Sequence, residues 1–137
     1  MTRALVASLS LAMTLTAASS RADMPTISGT LTVARDLAHH IGPDDRLVLK
    51  LYYPKDGIEM DATYRIVQSF ALPFAFRTGP SIDMNGRSKY DAYVLELFTD
   101  KNGNVLAVAP GELFTRTPGP VPLGTTDLRL ELNALRQ

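Results

Sequence analysis

Large apolar residues occupy every second position between Ser69 and Thr78, and this alternation restricts the possible folds of the chain more than any other feature. The alternating residues are Phe70, Leu72, Phe74 and Phe76. Successive side chains of an extended strand point to opposite faces, so these four would share one face. Pro73 lies among them and has no amide hydrogen for a central sheet ladder. We therefore predict a core strand that lies at a sheet edge or is bulged at Pro73.

The same period of two recurs along the rest of the chain, between clusters of turn-forming residues. We predict further strands over 29–34, 46–53, 60–66, 90–99, 105–109, 112–115 and 128–132, with a helical turn over 35–41. The strand over 60–66 alternates as well, and this alternation predicts four core-facing residues: Met60, Ala62, Tyr64 and Ile66.

No stretch shows the long 3.6-residue repeat of an amphipathic helix. A set of about seven short strands separated by turns is typical of a single antiparallel β-sandwich. We therefore predict an all-β sandwich, and a small closed barrel is the alternative.

Residues 1–22 have the features of a secretory signal peptide. Arg3 supplies a positive start, residues 4–18 are apolar, and Ser20-Arg-Ala22 fits the small-x-small motif of signal peptidase. The apolar run is shorter than the ~20 residues of a membrane span, so a cleaved peptide is favoured over an anchor. We expect cleavage after Ala22, a mature β-sandwich domain over 23–137, delivery to the periplasm and no stable membrane anchor.

Charge and composition restrict the partners. The 137 residues have a formal net charge of zero, and without Arg3 and Arg21 there are 12 basic and 14 acidic residues. Nucleic acids and anionic membrane surfaces attract proteins with a basic excess, so we expect neither as the main partner. The chain has no cysteine, which excludes disulfides, thiol catalysis, thiolate metal sites and covalent attachment of haem to this chain.

The two histidines are the first candidates for metal chemistry. His39 and His40 are adjacent, and adjacent side chains diverge in both strands and helices, so they are poorly placed to hold one ion. Met24, Met60 and Met84 could complete a soft copper site, although alternation places Met60 in the core. We expect no cofactor and no metal, and copper binding stays the alternative.

Motifs for catalysis are missing from the sequence. None of the serines lies in a Gly-x-Ser-x-Gly elbow, and there is no phosphate-cradling glycine loop, no His-Glu-x-x-His zinc motif and no complete calcium loop. We therefore predict that the protein is not an enzyme. A hydrolase would require His39 or His40 to converge with a serine and an aspartate.

Two predicted strands carry apolar residues on both faces. Alternating leucines assign one face of 46–53 and of 90–99 to the core, and the opposite faces still hold apolar side chains. If both strands share a sheet, these side chains form an exposed patch for a partner; alternatively, a loop or the other sheet covers them. Because the Pro73 edge could also accept an added strand, the predicted partner-binding residues are Tyr52, Val94, Phe98 and Pro73.

The order of several motifs resembles that of a known family of periplasmic domains. The motifs are Gly29-Thr-Leu-Thr-Val33, Pro43-Asp-Asp-Arg-Leu-Val-Leu49, Leu72-Pro-Phe-Ala-Phe76, Tyr93-Val-Leu-Glu-Leu97, Asn102-Gly-Asn104 and Pro110-Gly-Glu-Leu113. Over residues 28–133 the chain resembles the C-terminal periplasmic domain of the cytochrome c maturation protein CcmI (CycH). It is also similar to YbaY-type lipoproteins and YscW-type pilotins. The resemblance implies a β-sandwich and a role in periplasmic assembly or chaperoning.

The chain also departs from these families. CcmI-like proteins carry membrane helices and a tetratricopeptide array ahead of this domain, and the sequence shows neither. YbaY-type and pilotin-type proteins are anchored through a lipobox cysteine, which this chain lacks. The resemblance therefore implies the β-sandwich fold and a general role in periplasmic assembly or chaperoning. It identifies no particular partner and no binding residue.

From these features we predict a non-catalytic periplasmic module that binds a protein, in the manner of a chaperone. It would act in the assembly or maturation of a secreted or membrane protein, with c-type cytochrome biogenesis as the pathway that the resemblance implies. The alternative is a periplasmic protein that binds copper or a small molecule through His39, His40 and Met84.

Overall fold

The computed structural model describes residues 25–55, 58–79 and 90–137, without the side chains of 54, 55 and 58–62. Within these ranges the chain forms nine strands and one 3-10 helix, Arg35–His40. The strands are β1 Ile27–Val33, β2 Arg46–Lys55, β3 Ile58–Val67, β4 Phe74–Thr78, β5 Ala92–Asp100, β6 Leu113–Arg116, β7 Val121–Pro122, β8 Leu128–Leu132 and β9 Ala134–Leu135. The predicted signal peptide lies outside the described residues.

The strands form two sheets. The large sheet has the order β3-β2-β5-β6-β9, and β7 pairs with the first residues of β5. The small sheet has the order β4-β1-β8. All pairs are antiparallel except β1 with β8, which is parallel. The all-β prediction is confirmed, with one parallel pair that the sequence pattern did not predict.

A single hydrophobic core lies between the two sheets. The large sheet contributes alternate residues of β2 and β5, namely Leu47, Leu49, Leu51, Tyr93, Leu95 and Leu97. The small sheet contributes Ile27, Leu31, Phe76 and Leu132. Because both sheets bury one face in the same cluster, the molecule is a sandwich, as the alternation predicted.

The stretch with four alternating apolar residues is the edge of the small sheet. Burial alternates from Phe70 through Thr78, but only Phe74–Thr78 forms a strand. Phe76 is 3% exposed, whereas Phe70 and Phe74 are half-buried against the core. Pro73 is exposed and immediately precedes β4, so its missing amide hydrogen leaves the β4–β1 ladder intact. The predicted edge position is confirmed.

Strand β3 faces the opposite way from the prediction over the residues whose side chains are described. Arg65 lies opposite the core-facing Leu49, and Tyr64 lies opposite Lys50. Cross-strand partners share a face, so Tyr64 and Ile66 lie on the outer face, and Tyr64 is 52% exposed. A register shift between Leu51 and Tyr52 breaks the simple alternation of β3, as β-bulges do. Met60 and Ala62 are outside the described side chains.

The predicted strand over 105–109 is also wrong, because residues 101–112 form a loop before β6. Side chains bind the amides that a ladder would have used. The Glu112 carboxylate accepts hydrogen bonds from the backbone N–H of Lys101 at 2.8 Å and of Ala109 at 3.0 Å. The Asn104 side chain accepts one from the Leu106 N–H at 3.0 Å. These bonds hold the loop in a compact form that carries it over the large sheet.

Candidate functional site

The outer face of the large sheet holds three of the four predicted binding residues. Cross-strand register makes Tyr52 the neighbour of Val94 and Val48 the neighbour of Phe98. Between these two apolar rows runs a charged row. It crosses the sheet in the order Tyr64, Lys50, Glu96 and Arg116.

The predicted exposed patch is covered. Val94 is 5% exposed and Phe98 is 6% exposed, while Tyr52 is half-buried. Loop residues and sheet residues line one common cavity, so the 101–112 loop lies over this face. Of the two alternatives that the sequence left open, the structure shows the covering loop over the part of the face that holds Phe98. Val94 and Phe98 are both buried and present no free apolar surface. Pro73 lies in the other sheet and does not join this site.

The loop and the sheet enclose a cavity of about 230 Å³, which we call the outer groove. Its sheet side is formed by Lys50, Tyr52, Glu96 and Phe98. Its loop side is formed by residues 105–108, with Glu112 and Arg136 at the end where the loop returns to the sheet.

Glu96 is the centre of an ion-pair network in the outer groove. Its Oε1 accepts a hydrogen bond from the Tyr52 hydroxyl at 3.2 Å and lies 3.9 Å from Nη2 of Arg136. Its Oε2 lies 4.0 Å from Nη1 of Arg116. One carboxylate therefore faces two guanidinium groups.

Lys50 is the third cation of the groove. Its ammonium lies 5.9 Å from the ring centroid of Tyr52 and 5.6 Å from that of Phe98, within the range of cation–π attraction. No hydrogen bond or ion pair joins it to a residue in the described part of the chain, although Glu96 is its cross-strand neighbour.

Arg136 lies at the opposite end of the groove. Its guanidinium is stacked 4.1 Å from the ring centroid of Phe114. Its Nε is buried and has no hydrogen-bond partner within residues 25–55, 63–79 and 90–137. Stacking and the pairing with Glu96 fix the orientation of this side chain.

Large apolar side chains are exposed at the rim of the outer groove. Leu106 is 78% exposed and Val108 is 62% exposed, and both belong to the covering loop. Tyr64 stands beside Lys50 on the same sheet face. These three are the exposed large hydrophobic side chains of the described part of the chain, and all border one face. Such clustering is typical of an interaction surface.

Buried polar contacts anchor the covering loop. Besides the Glu112 bonds, Nζ of Lys101 forms an ion pair with Asp45 at 2.7 Å, and Asp45 accepts the Gly42 N–H at 2.9 Å. The next residue pair, Arg46 and Asp100, joins β2 to β5: Nε of Arg46, at 2.9 Å, and Nη2 both donate to Oδ2 of Asp100. The loop therefore has a fixed base, and its apolar tip projects over the groove.

The histidines lie far from this arrangement in the sequence, in the 3-10 helix. Their ring centroids are 4.2 Å apart at an interplanar angle of 37°. Within the described ranges, no three residues among histidine, cysteine, aspartate and glutamate are grouped as a metal site would require. Met24 and Met84, and the side chain of Met60, are outside those ranges, so the structure leaves the predicted copper set untested.

Sequence reasoning identified Tyr52 and Phe98 of the groove but missed its charged residues and its wall. Lys50 could have been found, because it alternates with Val48 and Tyr52 on the outward face of β2. The loop over 105–108 left no such signal, because a strand was expected there, and Arg136 lies outside every predicted strand.

The fold and the groove define the class: an all-β sandwich with its cavity on the outside of one sheet. In comparisons with known proteins, no family model, no curated protein and no solved structure matches the chain. In the described part of the chain, no helix has the length and apolar character needed to cross a membrane.

Proposed function

We propose that this chain is a non-catalytic protein-binding module that holds a segment of a partner at the outer groove. The observation that carries the proposal is the placement of three exposed apolar side chains on one side of the sandwich: Leu106 and Val108 line the cavity, and Tyr64 lies beside Lys50 on the same sheet face. Exposed apolar side chains reduce solubility unless a partner covers them. The half-buried ring of Tyr52, which lines the cavity, supplies aromatic contact area of the kind that peptide segments use.

The proposed setting is the periplasm, where the module would act in the assembly or maturation of a secreted or membrane protein. The features of residues 1–22 support export, and the resemblance to CcmI-type domains supports the theme of maturation. c-Type cytochrome biogenesis is the pathway that this resemblance implies.

Site-specific photo-crosslinking in the native host tests the proposal. A photoreactive residue replaces Leu106 in one variant and Arg129, an exposed position on β8 of the small sheet, in the control. We expect defined protein adducts from position 106 and none of these from position 129. Identical adducts at both positions, or none at position 106, would contradict the proposal.

Copper binding is the second candidate, and one observation favours it. The rings of His39 and His40 lie 4.2 Å apart rather than diverging, so both could approach one ion. Titration of the full chain with copper(I) and copper(II) tests it, with the double substitution His39→Ala and His40→Ala as the comparison. An affinity that is unchanged in the double variant would remove this candidate.

A further inference from the structure

An asparagine followed by glycine lies at the start of the covering loop, and its side-chain amide holds the loop in shape. Nδ2 of Asn102 donates a hydrogen bond to the Ala107 carbonyl oxygen at 2.8 Å. Oδ1 of the same side chain accepts one from the backbone N–H of Asn104 at 2.8 Å, which forms an Asx turn. One side chain therefore joins the first turn of the loop to the residue that lies between Leu106 and Val108.

The backbone nitrogen of Gly103 is available for reaction with this side chain. Because Gly103 directly follows Asn102, attack of its nitrogen on Cγ of Asn102 closes a five-membered ring within the chain. The Gly103 N–H donates no hydrogen bond to a residue in the described part of the chain. Gly103 has a φ of 76°, and apart from its chain neighbours no heavy atom lies within 4 Å of the position that a Cβ would take. Nothing therefore crowds the nucleophile.

The Asx turn also activates the carbon that would be attacked. Attack on Cγ of Asn102 moves negative charge onto Oδ1, and the Asn104 N–H points at that oxygen from 2.8 Å. A fixed N–H beside a developing oxyanion lowers the barrier to addition. Residues 102–104 are all exposed, so water can remove the proton of the nitrogen and supply the later hydrolysis.

We propose that Asn102 is a site of spontaneous deamidation and that this modification releases the tip of the covering loop. The Gly103 nitrogen loses its proton to water and forms a bond to Cγ of Asn102. The bond between Cγ and Nδ2 then breaks, and Nδ2 takes up a proton from water and leaves as ammonia. Water adds to one of the two carbonyl carbons of the resulting succinimide. Opening of the ring at Cγ gives aspartate, and opening at the main-chain carbonyl carbon gives isoaspartate.

Both products lose the contact that holds the loop tip. An ionised carboxylate only accepts hydrogen bonds, so the Ala107 carbonyl oxygen loses its donor and faces a negative charge. Isoaspartate also lengthens the main chain by one methylene group. Because Leu106 and Val108 flank Ala107 and line the outer groove, the modification alters a wall of this cavity. The inference is independent of the proposed protein-binding function, since it concerns only the loop's own chemistry.

Incubation of the full chain at mildly alkaline pH, in buffer and in guanidinium chloride, tests the site. Trypsin places Asn102 in the fragment 102–116, and mass spectrometry follows its mass gain of one dalton. Cleavage by an aspartate-specific protease distinguishes aspartate from isoaspartate. We expect Asn102 to convert at least as fast in buffer as in denaturant, by a factor of up to about ten, because the Asx-turn hydrogen bond exists only in the folded chain. Slower conversion in buffer than in denaturant would overturn the site.

Asn133 is the matched control, because it is an exposed asparagine that alanine follows. We expect it to stay unmodified over the same period, and equal conversion at Asn133 would also overturn the site.

Substitution by aspartate tests the effect on the loop. Asn102→Asp reproduces one product, and Asn133→Asp adds the same charge away from the loop. The Ala107 N–H donates to the Asn104 carbonyl oxygen at 3.1 Å, so its hydrogen exchange reports on the loop tip. We expect this exchange to become about two- to tenfold faster in Asn102→Asp and to stay unchanged in Asn133→Asp. Unchanged exchange in Asn102→Asp would overturn the release of the loop. The unsubstituted chain before and after incubation gives the same comparison if the variant does not fold.

Discussion

Replacing Glu112 by alanine tests the reasoning about the covering loop. The substitution removes both acceptors of the Lys101 and Ala109 amides, which bind the carboxylate at 2.8 and 3.0 Å. A donor left without a partner costs about 1–3 kcal/mol when it stays buried. The two amides give an upper sum of about 6 kcal/mol, and two effects reduce it.

The loop lies at the surface, so its amides regain water if it opens, and the buried carboxylate no longer has to be desolvated. We therefore expect Glu112→Ala to lower the free energy of unfolding by about 2–4 kcal/mol. Glu112→Gln keeps the shape and one carbonyl acceptor but turns an NH₂ group towards the second amide, so we expect about 1–2 kcal/mol.

Urea denaturation at neutral pH measures both values, with Glu131→Ala as the control. Glu131 is an exposed carboxylate on β8, and its removal should change the stability by less than about 0.5 kcal/mol. Hydrogen exchange of the Lys101 and Ala109 amides gives a local measurement. If Glu112→Ala unfolds at the urea concentration of the control and both amides stay protected, the carboxylate does not hold the loop.

Three further substitutions test the rest of the fold by the same denaturation assay. Phe76→Ala should cost about 3–5 kcal/mol, because the ring is buried between the sheets; a neutral result would place it outside the core. Gly29→Ala should cost about 3 kcal/mol, because its Cβ would lie 2.0 Å from the Leu128 carbonyl oxygen; wild-type stability would exclude this close approach. Arg46→Ala should cost about 3–5 kcal/mol by leaving the buried Asp100 unpaired, and an unchanged midpoint would argue against that pairing.

The alternation of apolar and polar residues correctly predicted the strands that have one face in the core and the other face outside it. Leu47, Leu49 and Leu51 face the core because one side of β2 is apolar throughout, and the burial of β8 follows the same logic. The edge position of β4 was predicted from Pro73, although this proline lies immediately before the strand and takes no part in its ladder.

Elements that depend on distant contacts could not be predicted. The inverted face of Tyr64 follows from a register shift in the β2–β3 pairing, which leaves no mark in the alternation of β3 alone. The loop over 105–109 has a strand-like sequence, but Glu112 and Asn104 bind its amides from outside the segment. The candidate site was predicted only in part for the same reason, because its wall is that loop.

The parallel pairing of β1 with β8 has a consequence for the order in which the molecule folds. Ile27–Val33 is the central strand of the small sheet, and its register with Leu128–Leu132 pairs Gly29 with Leu128, 99 positions later in the chain (128 − 29). Until Leu132 is available, one edge of β1 lacks its ladder and Ile27 and Leu31 lack part of their cover. Pairing across such a separation slows folding, because the entropy cost of closing a long loop has to be offset before the contacts of this strand pair form.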